Sequence, residues 1–310
     1  MERACRRAGV RLRIISAAST AQARAKLARA KPNVVVIDSI AIPIAAPLVR
    51  WMRETVRARV VALMHMPTTA RGTRAVLRAS DRVVAVSPSL ARTLARAGVS
   101  RPRIAVIPPG SDGIPRLARG KRPASDRGQL RALSVANWSR AKGIATLVAA
   151  ATHVPDLHLD LVGDTGNGAY RHSVLALIRS NGLEARVVVH DSLDERALAR
   201  RFAEADVFVL PTEREGYGIV FAEALMHGLP IVAVDIASVR SIVGDAGLFV
   251  PPRRVRPLVA ALRLMTDAWL RRRLAKAARV RAGALPRWTT SQAAFVALVR
   301  NEIRAAVAGS

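Results

Sequence analysis

Short apolar runs alternate with Ala/Leu/Arg-rich stretches of helical periodicity along the whole chain. The apolar runs are dominated by Val, Ile and Leu and do not alternate with polar residues, which is typical of strands buried on both faces. Strands that alternate with helices indicate a parallel, doubly wound α/β sheet. In the first third of the chain the pattern predicts strands at Arg11–Ser16, Asn33–Asp38, Val60–Met64, Arg82–Val86 and Arg103–Ile107. It predicts helices at Glu2–Ala8, Thr20–Ala30, Leu48–Arg57 and Pro88–Ala97.

Residues 113–129 are rich in Pro, Gly and charged residues and lack periodicity, which indicates a linker. After this linker a second series of alternating strands and helices begins. We therefore expect a first domain at residues 1–112 and a second at 130–285, with a C-terminal helix at 286–310 that packs back on the first domain. Two such Rossmann-like halves place a ligand cleft beyond the C-terminal strand ends. The predicted strands are Leu130–Ala136, Leu157–Val162, Arg186–Val189, Val207–Leu210, Ile231–Val234 and Leu248–Val250. One predicted helix begins at Gly143. The others span Tyr170–Ser180, Asp194–Ala203, Ile219–His227, Val255–Arg281 and Thr289–Ala306.

Composition narrows the class of protein. A chain of 310 residues, 51% hydrophobic, suits two packed cores. Its apolar runs all fall short of the roughly 18–20 residues that a membrane span needs. The single cysteine, Cys5, excludes a disulfide framework. No signal-peptide pattern opens the sequence, so we expect a cytoplasmic protein.

The net charge of +28 leaves three interpretations open. Only five of the 50 basic residues are lysines, and arginine and alanine enrichment can simply reflect a GC-rich genome. Alternatively, the charge attracts the chain to an anionic membrane face, which would make it peripheral at the inner membrane. A nucleic-acid-binding protein is a weaker alternative, because aromatic residues make up only 4% and no nucleic-acid-binding signature occurs.

The stretch at residues 211–225, Pro-Thr-Glu-Arg-Glu-Gly-Tyr-Gly-Ile-Val-Phe-Ala-Glu-Ala-Leu, follows a predicted strand and opens a predicted helix. Its glycines allow backbone amides to approach a ligand, and a helix N-terminus favours phosphate. Glu215 precedes the helix and Glu223 lies early on it, where side chains lean back toward the N-terminus. A carboxylate can accept two hydrogen bonds, which suits the paired hydroxyls of a sugar. Taken singly, the two glutamates have simpler interpretations, a solvated Glu215 and a Glu223 that offsets the helix dipole.

This stretch resembles the paired-glutamate motif of glycosyltransferase family 4, the retaining enzymes of GT-B fold. The resemblance runs from Asn33 to about Val299. Further segments fall in family order: Val86-Ser87-Pro88, Val106-Ile107-Pro108-Pro109-Gly110-Ser111-Asp112, Arg140-Ala141-Lys142-Gly143, Leu161-Val162-Gly163 and Ala205-Asp206-Val207-Phe208-Val209.

The resemblance implies transfer of a hexosyl unit from a nucleotide diphosphate sugar, with retention of anomeric configuration and no protein nucleophile. It implies that Glu223 holds the donor ribose and that Glu215 contacts the transferred sugar. The backbone near Leu193 then meets the base. The remaining residues expected to line the donor pocket are Gly163, Gly216, Tyr217 and Gly218. The donor is a substrate, so no separate cofactor is expected, and the acceptor, whether sugar, lipid-linked or small molecule, is not specified.

Arg140 and Lys142 follow the first strand of the second domain, and two fixed cations there can neutralise a diphosphate leaving group. The alternative is an ordinary solvated basic turn. Family members often carry the arginine earlier, where Asn137 stands here, so the pairing of side chains with phosphates stays open. His65 ends a first-domain strand, and the resemblance places it near the reacting sugar and acceptor. A lone histidine at a strand end is also commonly structural.

Metal-assisted chemistry is not expected. No Asp-x-Asp pair occurs, and the other histidines lack metal-ligand spacing. The chain starts within what resembles the first helix of the family, so the opening strand and glycine-rich loop are expected to be missing and the first domain shortened. That departure keeps a non-catalytic nucleotide-sugar-binding remnant open as an alternative.

Overall fold

A computed structural model describes residues 1–68, 70–118, 128–166 and 168–308. The chain divides into two compact units, the first formed by Met1–Gly110 with Pro286–Ser310 and the second by Ser111–Leu285. Residues 119–127 of the predicted linker lie outside the described residues.

The first unit contains a four-stranded parallel sheet in the order β1-β2-β3-β4. Most apolar side chains of its two middle strands are buried and Leu63 is partly buried, as expected when helices cover both faces. The strands are β1 (Val34–Asp38), β2 (Arg59–Met64), β3 (Arg82–Ala85) and β4 (Ile104–Val106). The helices are α1 (Glu2–Arg7), α2 (Thr20–Ala30), α3 (Ile42–Ala45), α4 (Val49–Glu54), α5 (Thr73–Ala79), α6 (Pro88–Arg96) and, from the C-terminal end of the chain, α14 (Trp288–Ala308).

The predicted strand at Arg11–Ser16 is wrong. This segment is not helical and pairs with no described strand, and the Ile14 side chain is 80% exposed. An apolar run forms a strand only where a neighbour accepts its backbone hydrogen bonds. Here the local pattern favoured a strand, but no described strand lies alongside.

The long helix α14 is part of the first unit. Phe295, Val296 and Val299 pack in one core cluster with Cys5 and Val61. Burial raises the pKa of the Cys5 thiol, which is typical of an unreactive core cysteine. Helix α14 therefore belongs to the first unit because it packs against residues that lie far from it in the sequence.

A buried carboxylate also anchors α14 to the sheet. Glu302 is only 3% exposed and accepts from Arg59 Nε at 2.6 Å and from Arg82 Nε at 3.0 Å. The two arginines open β2 and β3, so a single acid ties the helix to two neighbouring strands.

The second unit contains a six-stranded parallel sheet in the order β10-β9-β8-β5-β6-β7. The chain leaves β5 toward β6 on one side and returns to β8 on the other, which makes β5 and β8 the topological switch point. In open α/β sheets ligands bind outside the carboxyl ends of the strands at that point. The strands are β5 (Leu130–Val135), β6 (Leu157–Val162), β7 (Val187–His190), β8 (Val207–Leu210), β9 (Ile231–Val234) and β10 (Gly247–Val250). The helices are α7 (Ile144–Ala151), α8 (Ala169–Ser180), α9 (Glu195–Glu204), α10 (Ile219–Met226), α11 (Ala237–Val243), α12 (Val255–Leu264) and α13 (Ala268–Gly283).

The predicted helix at Val255–Arg281 is two helices in the structure. Asp267 stands between α12 and α13, and its side chain accepts the backbone N–H of Trp269 at 2.8 Å. An N-cap aspartate starts a new helix by satisfying an otherwise unpaired amide, and this local bond interrupts the continuous pattern. Helices α5 and α11 were not predicted. No helix in the described part of the chain combines the length and apolarity that crossing a bilayer requires.

Candidate functional site

Two loops meet at the carboxyl ends of β5 and β8. Gly143 adopts φ +70°, and a Cβ added there would collide with the Pro211 carbonyl oxygen, so the position requires glycine. The Glu213 N–H donates to the Ala141 carbonyl at 2.8 Å. The buried Thr212 hydroxyl donates to the same carbonyl at 3.3 Å. These bonds hold the 3-10 turn Arg140–Lys142 against the loop that follows β8.

Lys142 and Glu215 form an ion pair across these two loops. Lys142 Nζ lies 2.8 Å from Glu215 Oε2, with the side chains 23% and 12% exposed. Partial burial strengthens the pair relative to a surface pair, because solvent screens it less. The structure thus brings together two residues that lie 73 positions apart in the sequence.

Arg140, predicted to act beside Lys142, points elsewhere. Its guanidinium lies 5.8 Å from the centre of the Tyr170 ring, in cation–π geometry. The Tyr170 hydroxyl accepts the Ala145 N–H at 3.2 Å, so the ring is fixed at the start of α7. Arg140 therefore lies at the same strand edge as Lys142 with its head group held by an aromatic face.

The N-terminus of α10 opens at this edge. Gly218 precedes the helix with φ +91°, and no side chain caps it. A Cβ on Gly218 would lie 2.9 Å from the Phe221 ring and 3.1 Å from Glu215 Cγ, so glycine lets Glu215 lie close to the helix end. Because the first amides of a helix lack intrahelical acceptors, an uncapped N-terminus suits an anionic ligand.

Glu223 lies one turn into α10 and is the most perturbed acid of the site. Burial raises the pKa of its carboxyl to about 7. Its carboxylate makes no hydrogen bond or ion pair within the described residues. A carboxylate removed from water without a partner is costly, and such a group is a candidate for meeting a ligand.

Tyr217 is 8% exposed, and burial raises the pKa of its phenol, with a smaller opposing effect from the Ser111 hydroxyl. The two hydroxyls face each other without meeting the geometry of a hydrogen bond. Tyr217 therefore packs into the second unit beside Gly216 and Gly218, and its ring is part of the wall behind the loop.

The ends of β6 and β7 form the other flank of this edge. Gly163 has φ +137°, and an added Cβ would collide with the Ala136 carbonyl, so only glycine allows the loops after β5 and β6 to approach. The loop after β7 contains Leu193, which is half-buried. Thr165 donates to Asp191 at 2.6 Å and ties this loop to β6.

Sequence reasoning missed a second contact of the central loop. Arg253 Nε and Nη2 donate to the two carboxylate oxygens of Glu213 at 2.8 and 2.6 Å. The guanidinium lowers the pKa of Glu213. Arg253 has φ +57°, a left-handed conformation that a non-glycine residue rarely adopts. Arg253 thus combines a rare backbone conformation with two hydrogen bonds to Glu213, and it restrains the loop that carries Glu215.

His65 lies in the first unit. It follows β2, and its Nε2 lies 2.8 Å from Asp38 Oδ2 at the end of β1. Both side chains are nearly half exposed. Sequence reasoning did not identify Asp38, which fixes the orientation of the imidazole.

No three His, Cys, Asp or Glu side chains converge as a metal site among residues 1–68, 70–118, 128–166 and 168–308.

Comparison with solved structures defines the fold. Sucrose-phosphate synthase from Thermosynechococcus elongatus aligns with a TM-score of 0.76 at 24% identity, over 92% of this chain and 77% of that protein. HepE from Anabaena, solved in complex with UDP and glucose, aligns with a TM-score of 0.76 at 17% identity, over 96% of this chain and 88% of that protein. The expected GT-B fold, with two parallel-sheet α/β domains, is confirmed.

The chain belongs to the glycosyl transferases group 1 family, whose model matches residues 119–281. The Glycosyltransferase Family 4 model matches residues 3–112, so the predicted family is confirmed. D-inositol 3-phosphate glycosyltransferase of Xylanimonas cellulosilytica is 31% identical over 64% of this chain and 52% of its own length. Sulfoquinovosyl transferase SQD2 of Arabidopsis thaliana is 31% identical over 44% of this chain and 27% of its own. The chain spans about half the length of the curated D-inositol 3-phosphate glycosyltransferases that it matches.

Proposed function

We propose that this protein transfers a hexosyl unit from a nucleoside diphosphate sugar to an acceptor hydroxyl, with retention of anomeric configuration. The observation that carries the proposal is the grouping at one sheet edge of a paired Lys142–Glu215, an uncapped helix N-terminus and the unpartnered carboxylate of Glu223. A cation, free amides and a carboxylate are the groups that a diphosphate and a ribose require.

Each group then has a distinct task. Glu223 accepts hydrogen bonds from the two ribose hydroxyls of the donor. The N-terminus of α10 and Lys142 bind the diphosphate. Lys142 also stabilises the negative charge that develops on the diphosphate as the nucleoside diphosphate leaves. Glu215 accepts a hydroxyl of the transferred sugar.

The ion pair between Lys142 and Glu215 suggests how the site changes when the donor binds. In the structure the two residues neutralise each other at 2.8 Å. The donor offers both a new partner, with phosphate for Lys142 and a sugar hydroxyl for Glu215. After the exchange Lys142 faces an opposite charge and Glu215 still accepts a hydrogen bond, which limits the cost of breaking the pair.

In the proposed reaction the bond between the anomeric carbon and the diphosphate oxygen breaks. The acceptor oxygen forms a bond to the same face of that carbon, and its proton passes to the departing phosphate. The products are the glycosylated acceptor and a nucleoside diphosphate. No protein nucleophile takes part, and no metal ion is needed, because Lys142 and the N-terminus of α10 supply positive charge.

The comparisons support this proposal at the level of the family. HepE, which shares the fold, was solved with UDP-glucose. Two curated relatives that each match 64% of this chain are named D-inositol 3-phosphate glycosyltransferase. The donor base, the sugar and the acceptor of this chain are left to experiment.

A panel of nucleotide sugars tests the donor assignment by thermal shift. A donor present at 100 times its dissociation constant stabilises the folded state by about 2.7 kcal/mol. Glu223→Gln should remove most of that shift, whereas Glu184→Gln, which removes the same charge from an exposed position, should leave it unchanged. A shift that survives in Glu223→Gln contradicts the donor site.

Turnover separates an enzyme from a binding remnant. Release of nucleoside diphosphate is measured with the donor found above and a panel of sugar, lipid-linked and small-molecule acceptors. Acceptor-dependent release confirms transfer, and product NMR at the anomeric proton shows whether configuration is retained. Donor binding without release across the panel supports the remnant.

A further inference from the structure

A basic groove lies on the second unit at the end of the sheet opposite the candidate donor site. It has a volume of about 440 Å³ and is lined by residues that precede β8 and β9, among them Ala205 and Leu229, and by one face of α13. Because all six strands are parallel, these N-terminal strand ends lie away from the carboxyl ends that hold Lys142 and Glu215. The groove is therefore separate from the site described above.

Three arginines of the groove have no partner. Arg116, Arg272 and Arg279 are exposed and make no hydrogen bond or ion pair with the described part of the chain. A fourth, Arg271, donates to the Met265 carbonyl at 2.5 Å. Among the described residues that line the groove, Asp206 is the only acid, and its carboxylate accepts the Arg131 N–H at 2.9 Å.

The groove wall also contains an imidazole ring that is held on both sides. His227 stacks on Phe202 with ring centroids 4.7 Å apart and planes 14° from parallel. Its Nδ1 lies 2.9 Å from the Glu223 carbonyl oxygen and its Nε2 3.2 Å from the Pro115 carbonyl oxygen. These contacts fix the orientation of the imidazole in the groove wall.

We propose that this groove binds a small multivalent anion that carries phosphate groups. Unpaired guanidiniums around one concavity repel each other, and a phosphate-bearing ligand removes that repulsion. The planar fork of arginine matches two phosphate oxygens at once, which makes it better suited to phosphate than to a monovalent ion. The volume is in the range of small-ligand sites, which run from about 300 to 1,000 Å³. The proposal rests on this groove alone and is independent of the proposed transfer reaction.

General attraction of anions to a chain of net charge +28 is the competing explanation. It is tested with two triple variants that remove the same charge. The groove variant is Arg116→Gln/Arg272→Gln/Arg279→Gln. The matched control is Arg179→Gln/Arg196→Gln/Arg200→Gln, on exposed positions of the same unit outside the groove.

Inorganic pyrophosphate is the probe, titrated calorimetrically at about 150 mM salt, where long-range attraction is screened beyond roughly 8 Å. All proteins carry Lys142→Gln, so that the candidate donor site does not add a second binding event. We expect the groove variant to bind pyrophosphate at least 10-fold more weakly than its parent and the control to differ by less than 2-fold. Equal weakening in both variants, unchanged affinity in the groove variant, or no binding to the parent at millimolar pyrophosphate would each overturn the proposal.

Two additions keep the result decisive. Thermal melting reports whether the triple variants fold, and Arg272→Gln alone, at an exposed position, replaces the groove variant if the triple does not. Vesicles of phosphatidylglycerol are titrated in parallel with pyrophosphate. If the groove variant loses pyrophosphate binding but still binds vesicles, the ligand is a free phosphate compound. If the groove variant loses both, the ligand is a lipid headgroup. Either outcome supports the phosphate site.

Discussion

Glutamine at position 223 removes the ionisable group of the candidate donor site while keeping its size. Burial raises the pKa of the Glu223 carboxyl to about 7, from a usual value of 4.5. At pH 6.5 about three-quarters of the folded molecules therefore carry a proton on this group. A ribose whose hydroxyls donate to the ionised carboxylate favours the deprotonated form.

The magnitude follows from that shift. Binding of a nucleoside diphosphate at pH 6.5 should release about 0.7 proton, provided that the bound pKa falls below about 5.5. Loss of hydrogen bonds to a charged group costs about 1.5–3 kcal/mol, so Glu223→Gln should weaken the nucleotide by about 10- to 150-fold above pH 7.

Calorimetry in two buffers of different ionisation enthalpy measures the released proton directly. The wild-type protein and Glu184→Gln should release it, and Glu223→Gln should not. Glu223 does not bind the ribose if all three proteins release the same number of protons, or if Glu223→Gln binds nucleotide as tightly as the wild type.

The same shift predicts how stability depends on pH. Since the folded pKa is raised, the protonated carboxyl stabilises the fold fully below pH 4.5, and this contribution is lost as the pH rises through 7. Glutamine stays neutral at every pH. Urea unfolding should therefore show Glu223→Gln and wild type to be alike at pH 4.5, with the variant more stable by on the order of 2–3 kcal/mol at pH 8.

Three further predictions concern charged contacts. Lys142→Gln should lower turnover by about 100-fold and also lower the melting temperature, because it leaves the partly buried Glu215 without its cation. A chelator should leave wild-type activity intact; activity lost with chelator and restored by manganese would contradict the metal-free proposal. Arg253→Gln should lower the transfer rate about fivefold, because it loosens the loop that carries Glu215. The control Arg240→Gln, which breaks an equally short bidentate pair elsewhere in the unit, should leave the rate within twofold. Equal effects of the two variants would contradict a restraining role for Arg253. Urea unfolding should show that Glu302→Gln destabilises the first unit by about 3–5 kcal/mol, because the variant leaves two arginines without their buried carboxylate. The control Glu54→Gln removes the carboxylate of an exposed ion pair and should cost less than about 0.5 kcal/mol.

Much of the fold could be read from local patterns. The strand at Leu157–Val162 and the helix at Thr20–Ala30 were predicted to the residue, because an unbroken apolar run and a regular helical period are properties of the sequence itself. The stretch around Glu215 and Glu223 was identified for the same reason, since a strand, two glycines and a helix are consecutive in the chain. The family followed from that order of motifs.

What local patterns could not supply is the presence of partners. The apolar segment at Arg11–Ser16 looked like a strand, but a strand exists only beside another that completes its hydrogen bonds. The break at Asp267 depended on a single side-chain bond competing with a continuous helical period.

Only the tertiary structure decided the contacts of the site. Lys142 meets Glu215, Arg253 meets Glu213, and Asp38 meets His65, each across many intervening residues. Parallel strands bring their carboxyl ends to one edge whatever their distance in sequence, so the topology determines which loops become neighbours. The raised pKa of Glu223 is likewise a property of the packed chain, because the loss of water that causes it exists only once the surrounding elements have closed around the helix.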